Sequence, residues 1–381
     1  MGNIYMVASL LCVAVITAQA AKVACGGGST SSLRRRSSLV PAPAPVVPAS
    51  PYVPNIIAAV DDQAFCMVHL GEVRCWGADD HNVLGYTHDQ PSDYYSIYNS
   101  TVSIYSTNDF TCGADSDLEN VPAVPFGADH SRAVEVVGSP SNGGACARFE
   151  NGGIKCWGHN RFGALGQNTG TSTLPISDIA TLPFIQFANG SSGRPTLAAQ
   201  LVSSNRHRCI LSTEHEVHCW GQNSYGVLGY GDTAPVGTFS KPVASAGAVP
   251  LWNSGVTKPV QIAVSDTNTC VLMDDGTMGC WGHSTYYRTG TCANSGSVGD
   301  APNEVSAIMP LDFEAPAGVN VVSMHGSAIH MCAVLSDGTS TCWGFNSYGE
   351  LGLDSSTTQK PVDSGRIAVT ASGTAFQPLA G

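Results

Sequence analysis

The sequence predicts an all-β chain, a β-propeller of five to six blades whose last blade is incomplete. Three observations predict it. Trp-Gly recurs at Trp76, Trp157, Trp220, Trp281 and Trp343, at spacings of 81, 63, 61 and 62 residues. Each of these tryptophans follows a cysteine that has a second cysteine nine or ten positions upstream. Each repeat opens on a β-rich run (NIIAAV, AVEVVG, AAQLVSS, VQIAVS, VNVVSM), with no long helical pattern after it. About four short strands, repeated at this scale, suit propeller blades.

The chain begins MGNIYMVASLLCVAVITAQA, an apolar run from Ile4 to Ile16 followed by Ala18-Gln19-Ala20. This reads as a signal peptide over 1–20, although its leading residues carry no Lys or Arg. A membrane anchor needs about 20 apolar residues, more than this run supplies. Residues 21–52 read as a low-complexity tether, Gly/Ser for flexibility and Pro/Ala for an extended spacer, with Arg34-Arg35-Arg36 solvated within it. Cys25 heads the Gly/Ser stretch as a lipid-anchored start would, but Lys22 stands where that signal takes an apolar residue.

The propeller is expected over 53–381, with an insertion loop at 87–120 in the first repeat. Ser336-Asp337-Gly338 is expected as a three-residue hairpin loop, a type I turn closed by a left-handed glycine. Leu335 then faces Thr339, and stepping outward sets Cys332 opposite Cys342. The same count works for Cys270 and Cys280 about Asp274-Asp275-Gly276, and for Cys146 and Cys156 about Glu150-Asn151-Gly152. Cys209 and Cys219 share the spacing. Cys66 and Cys75 are only nine apart, and a two-residue loop, Leu70-Gly71, keeps them opposed. Opposed residues on antiparallel strands lie about 4.5–5.5 Å apart at Cα, within disulfide reach. Zinc is the competing reading, but one hairpin supplies two ligands and no C-x-x-C or histidine pair completes a tetrahedron. Each bridge closes a short loop and contributes about 2–3 kcal/mol at best. Cys112 and Cys292 remain, both in loops between repeats, and the sequence leaves open whether they pair; Cys25 is then left over.

Beyond each hairpin a short run with a proline in or just before it, such as KPVAS or NEVSA, is expected to supply the outer strand. After Trp343, KPVDSGRIAVTASGTAF looks like the opening of a sixth repeat without its cysteines or Trp. Tail strands at 366–370 and 374–378 are expected to join an N-terminal strand from APVVPAS and close the ring. Five blades with a free tail is the alternative.

Composition narrows the function. Seventeen Lys and Arg against 29 Asp and Glu give a net charge of −12, which repels phosphate backbones and argues against nucleic-acid binding. Fourteen cysteines, thirteen of them behind the signal peptide, suit a secreted, oxidised scaffold.

The extended unit reads CWGHNRFGALGQ at 156–167, CWGQNSYGVLGY at 219–230 and CWGFNSYGELGL at 342–353. With the Asp-Gly hairpin before it, this resembles the regulator-of-chromosome-condensation repeat, Trp-Gly-x-Asn-x-x-Gly-x-Leu-Gly. The first unit (CWGADDHNVLGY) and the fourth (CWGHSTYYRTG) are degenerate. The resemblance implies a β-propeller, and the paired cysteines look like those of its secreted, disulfide-containing branch. Nuclear members exchange nucleotide on a small GTPase and touch chromatin. The leader, the cysteines and the acidic charge argue against both roles here.

One loop position after Trp-Gly is aromatic in four repeats, Phe162, Tyr225, Tyr286 and Tyr348, with His81 in the first. As a set these five make a candidate binding face, since such side chains anchor protein recognition. Secreted members resembling this chain bind a partner protein with such a face. The competing reading is packing between blades. His215-Glu216-Val217-His218 suggests a metal pair, but positions three apart on a strand point to opposite faces, so no metal is expected. No catalytic motif occurs, and no cofactor is expected. Asn99 and Asn189 head glycosylation sequons. The expectation is a secreted or surface-tethered, monomeric, non-catalytic module for an extracellular protein partner, touching membrane only through a lipid on Cys25. The alternatives are a carbohydrate-binding or hydrolytic propeller using its central funnel, or a structural surface component.

Overall fold

Each repeat is organised by one cross-strand pair of cysteines. In the computed structural model, β2 (Ala64–His69) and β3 (Glu72–Gly77) set Cys66 opposite Cys75, and β5 (Gly144–Phe149) and β6 (Ile154–Gly158) set Cys146 opposite Cys156. The same holds for Cys209 and Cys219 on β8 (His207–Ser212) and β9 (Val217–Gly221). Cys270 and Cys280 face each other on β11 (Asn268–Met273) and β12 (Met278–His283), as do Cys332 and Cys342 on β15 (His330–Leu335) and β16 (Ser340–Gly344). All five pairs are bonded, with Cα separations of 4.0–4.1 Å. That is just below the expected range, and the register puts the pairs on its short side. Phe149 N donates to Gly153 O at 3.0 Å. Counting out alternately from that bonded pair places the cysteines at a non-hydrogen-bonded site, where strands approach closest.

The turns follow the residue chemistry. Gly338 has φ +81°, its N–H donates to Leu335 O, and the Asp337 carboxylate accepts Thr339 N at 2.9 Å. In the third repeat His215 takes the glycine's place with φ +61°. Leu70 and Gly71, at φ +51° and +86°, make the two-residue turn of the first repeat.

The structure describes residues 57–61, 64–77, 84–85, 123–127, 131–139, 141–142, 144–168, 176–252, 255–291, 293–311, 318–351, 367–368 and 377–378. The leader, the tether, the 87–120 insertion, His81, Cys25, Cys112 and Cys292 lie outside them. Each hairpin gains an inner antiparallel strand: β1 (Ile57–Asp61), β4 (Ala133–Ser139), β7 (Ala198–Ser203), β10 (Pro259–Val264) and β14 (Val321–Gly326). β4, β7, β10 and β14 each carry a register shift after their first residue, so one bulge recurs through four repeats. The result is an all-β propeller fold.

The outer strands differ from expectation. KPVAS forms a short helix, Val243–Ala246, behind Pro242, and NEVSA contains a 3-10 turn, Val305–Ala307. Proline cannot donate to a ladder and suits a helix start. What survives of the outer strand is often one bond to the residue two before the second cysteine. Val124 N reaches Val73 O, Val249 N reaches Val217 O and Leu311 N reaches Met278 O, at 2.7–2.8 Å. The fourth sheet adds a short β13 (Ser297–Val298) on β12. In the fifth sheet the same edge is taken by the tail. β17 (Ile367–Ala368) pairs with β16 through Ser340, and β18 (Gln377–Pro378) pairs with β17. Among the described residues the tail therefore extends the fifth sheet. Pairing with APVVPAS lies outside the described residues.

The chain divides into two compact units. One holds the first three sheets, within 52–224 and 233–249, and the other holds residues 225–232 and those from 250 onward. In the first, Phe126 packs edge-on against Phe149 and Trp157, and Phe187 against Trp220. In the second, a core of Leu272, Met278, Val321, Met324, Leu335 and Trp343 lies between β10–β12 and β14–β16.

Within each unit the repeat motif works as a seam. Trp157, Trp220, Trp281 and Trp343 are almost fully buried. Trp220 Nε1 donates to Ala164 O of the preceding repeat at 3.0 Å, Trp281 Nε1 to Val227 O at 2.9 Å, and Trp343 Nε1 to Arg288 O at 3.1 Å. The accepting residue always precedes the Leu position of the motif. The glycine after each Trp has φ from +93° to +113°, and at Gly282 an added Cβ would lie 2.2 Å from Thr267 O. No other residue fits there.

Candidate functional site

The loops after Trp-Gly begin with a polar anchor. Asn160 Oδ1 accepts Leu165 N at 3.0 Å, and Asn346 Oδ1 accepts Leu351 N at 3.0 Å. Inside this frame the chain makes a tight turn whose aromatic residue adopts a left-handed backbone: Phe162 φ +57°, Tyr225 φ +64°, Tyr286 φ +62°. Tyr348 holds the same position without a left-handed backbone. Phe162 and Tyr225 are each 42% exposed, Tyr286 36% and Tyr348 80%.

Tyr225, Tyr286 and Tyr348 belong to one compact unit and Phe162 to the other. Arg161 lies over the Phe162 ring at 5.0 Å. In the second unit the rings lean on the residue that follows Trp-Gly in the next repeat. Tyr225 stacks on His283, centroids 4.0 Å apart at 18°, and Tyr286 meets Phe345 edge-on at 5.3 Å. Tyr348 lies 6.3 Å from the same Phe345. Tyr225 and Tyr286 thus each touch the next repeat while staying partly exposed.

Sequence reasoning gave no binding role to Phe345, Arg288 or His283. Arg288 Nη1 contacts His283 Nδ1 at 3.2 Å and Thr267 Oγ1 at 3.3 Å, and its guanidinium lies 5.2 Å from the Tyr286 centroid. His283 Nε2 sits 3.0 Å from Thr285 Oγ1. With Nδ1 facing a donor, His283 is the neutral Nε2–H tautomer, and burial and then Arg288 hold its pKa below the ordinary value. Burial also lowers the Arg288 pKa, opposed by the neighbouring Tyr286 and Tyr225. The signal for Arg288 was in the sequence, since CWGHSTYYRTG aligned with its siblings puts Arg where they have Ala164 and Val227.

A 330 Å³ cavity beside β3 is lined by Val73, Val124, Phe126, Ala133 and Phe149, with Glu72 its one charged group. His215 sits in a turn, while His218 lies in β9 and bonds Gly247 O at 2.9 Å. Among the described residues no group of three His, Cys, Asp or Glu could hold a metal ion, and no helix is long and apolar enough to cross a membrane.

Family models of the regulator of chromosome condensation (RCC1) repeat match residues 198–227 and 214–272. The ultraviolet-B receptor UVR8 of Arabidopsis thaliana is 24% identical over 53% of this chain and 40% of its own length. The human E3 ubiquitin-protein ligase HERC2 is 24% identical over 91% of this chain, which spans 6% of that protein. The chain thus covers less than half of either relative. Yeast RCC1 (Prp20), in its structure bound to Kap60, shares the fold with a TM-score of 0.53 at 17% identity, over 90% of this chain and 66% of that one. The Trp-Gly seam repeated through the sheets agrees with the RCC1-type repeats matched within 198–272, and the fold is the β-propeller of RCC1.

Proposed function

We propose that this chain is a non-catalytic, extracellular protein-binding propeller that captures its partner with the aromatic loops after Trp-Gly. The observation that carries the reading is the exposure of Phe162, Tyr225, Tyr286 and Tyr348. An aromatic repeated only to fill a seam would be buried as the Trp side chains are. Exposed Tyr beside Arg is instead the composition of interface anchors. The match to yeast RCC1, solved bound to Kap60, supports a binding role for the fold. The apolar leader and the five bonded cysteine pairs support work outside the cell. The net charge of −12 counts against nucleic acid.

The test uses the oxidised full chain as bait in extracellular fluid. A variant with Tyr225→Ala and Tyr348→Ala should stay folded and lose the partners that the parent captures. Undiminished capture would rule out this face.

A further inference from the structure

Arg288 departs from the repeat pattern in a way the seam does not require. Its backbone carbonyl keeps the shared role, accepting Trp343 Nε1, as Ala164 and Val227 do for their own neighbours. The side chain is nevertheless a guanidinium, only 9% exposed. Its contacts are a hydroxyl, an imidazole nitrogen and the Tyr286 ring, and Nε has no partner. No carboxylate pairs with it among the described residues. Burying a cation without a counter-charge is costly, and nothing in the seam repays it.

The same loop carries a second departure. Tyr287 stands where the second and third repeats have Gly163 and Gly226, and it takes the glycine's left-handed backbone at φ +58°. Strain of this kind gathers at binding sites. The rings of Tyr286 and of Tyr225, the latter stacked on His283, flank the guanidinium and remain partly exposed.

We propose that Arg288, between Tyr225 and Tyr286, is a receptor for an acidic side chain of the protein partner. A Glu or Asp carboxylate pairs with the N–H groups that Arg288 leaves unused, and the two phenol rings shield that pair from water. This rests on the protein-binding reading and adds the partner's chemistry to it. In a chain of net charge −12, an uncompensated cation is a local attractor for such a group. Arginine also offers a carboxylate a planar, two-pronged contact.

End-blocked tetraglutamate and tetraglutamine peptides are titrated into the full chain and followed by NMR. The Trp343 indole N–H reports folding, because its acceptor is a backbone carbonyl that survives substitution. Tetraglutamate should bind about tenfold more tightly than tetraglutamine. Arg288→Gln should erase the preference, and Arg288→Lys should keep part of it. Equal binding, no saturable shift with tetraglutamate, or a preference that survives Arg288→Gln overturns the proposal. Tighter binding of oligogalacturonate than of tetraglutamate overturns it in favour of an acidic polysaccharide. Capture that is lost with Tyr225→Ala and Tyr348→Ala but normal with Arg288→Gln would keep the face and remove Arg288 from it.

Discussion

Acid should weaken this fold through one buried histidine. His207, at the start of β8, is fully buried, with Nδ1 3.1 Å from Ser204 Oγ. Burial, then Arg208 and Arg206, push its pKa down from the ordinary 6.5 to about 3. The folded value lies below the unfolded one. The stabilisation is therefore whole above about pH 6.5 and is lost as pH falls toward 3. At about 1.4 kcal/mol per pKa unit the full window is worth roughly 5 kcal/mol, and acidifying from pH 7 to about 4.5 removes roughly 2–3 kcal/mol of it. Urea unfolding at both pH values, on the parent and on His207→Gln, isolates the effect, because every other titrating group shifts both proteins alike. The variant should start less stable and then decline by roughly 2–3 kcal/mol less than the parent. Equal declines, or a His207 ring that titrates near 6.5 in the folded protein by NMR, would refute the reasoning.

Three further outcomes follow from the seams, turns and bridges. Trp220→Phe removes the bond to Ala164 O and should cost about 1–2 kcal/mol in urea unfolding; no loss would mean the indole N–H does not join the repeats. Gly221→Ala places a Cβ 2.8 Å from Arg206 O at φ +106°, whereas Gly193→Ala at φ +76° meets nothing within 4 Å. The first should destabilise by several kcal/mol and the second by only about 1 kcal/mol, and similar costs would count against the close approach. A non-reducing peptide map should join Cys332 to Cys342, and any other linkage would break the register argument.

The hairpins were legible because their signal is local. Asp-Gly and Asn-Gly turns set a register, and the one-residue deletion about Leu70-Gly71 showed that the cysteines follow it. The third repeat was harder to read, because His215 occupies the left-handed position that glycine usually marks. The outer strands were misread for a physical reason. Once Pro242 removes a donor, a short apolar run is as good a helix turn as an edge strand, and tertiary context decides. The tail resembled an opening strand in composition, but pairing at Ser340 makes it an outer one, and no local pattern distinguishes those edges. At the site, the repeated aromatic position could be read from one aligned column. Its support could not, because the partner of Tyr225 is His283, nearly a full repeat away.

If the exposed aromatics do the binding, their removal must show in affinity and not in stability. The dissociation constant of a captured partner is measured for the parent and for the Tyr225→Ala, Tyr348→Ala variant, with urea unfolding of both as the control. Loss of two anchors should weaken binding by about a hundredfold, roughly 3 kcal/mol, with stability changed by less than about 1 kcal/mol. Unchanged affinity in a variant of unchanged stability would show that these rings do not do the binding.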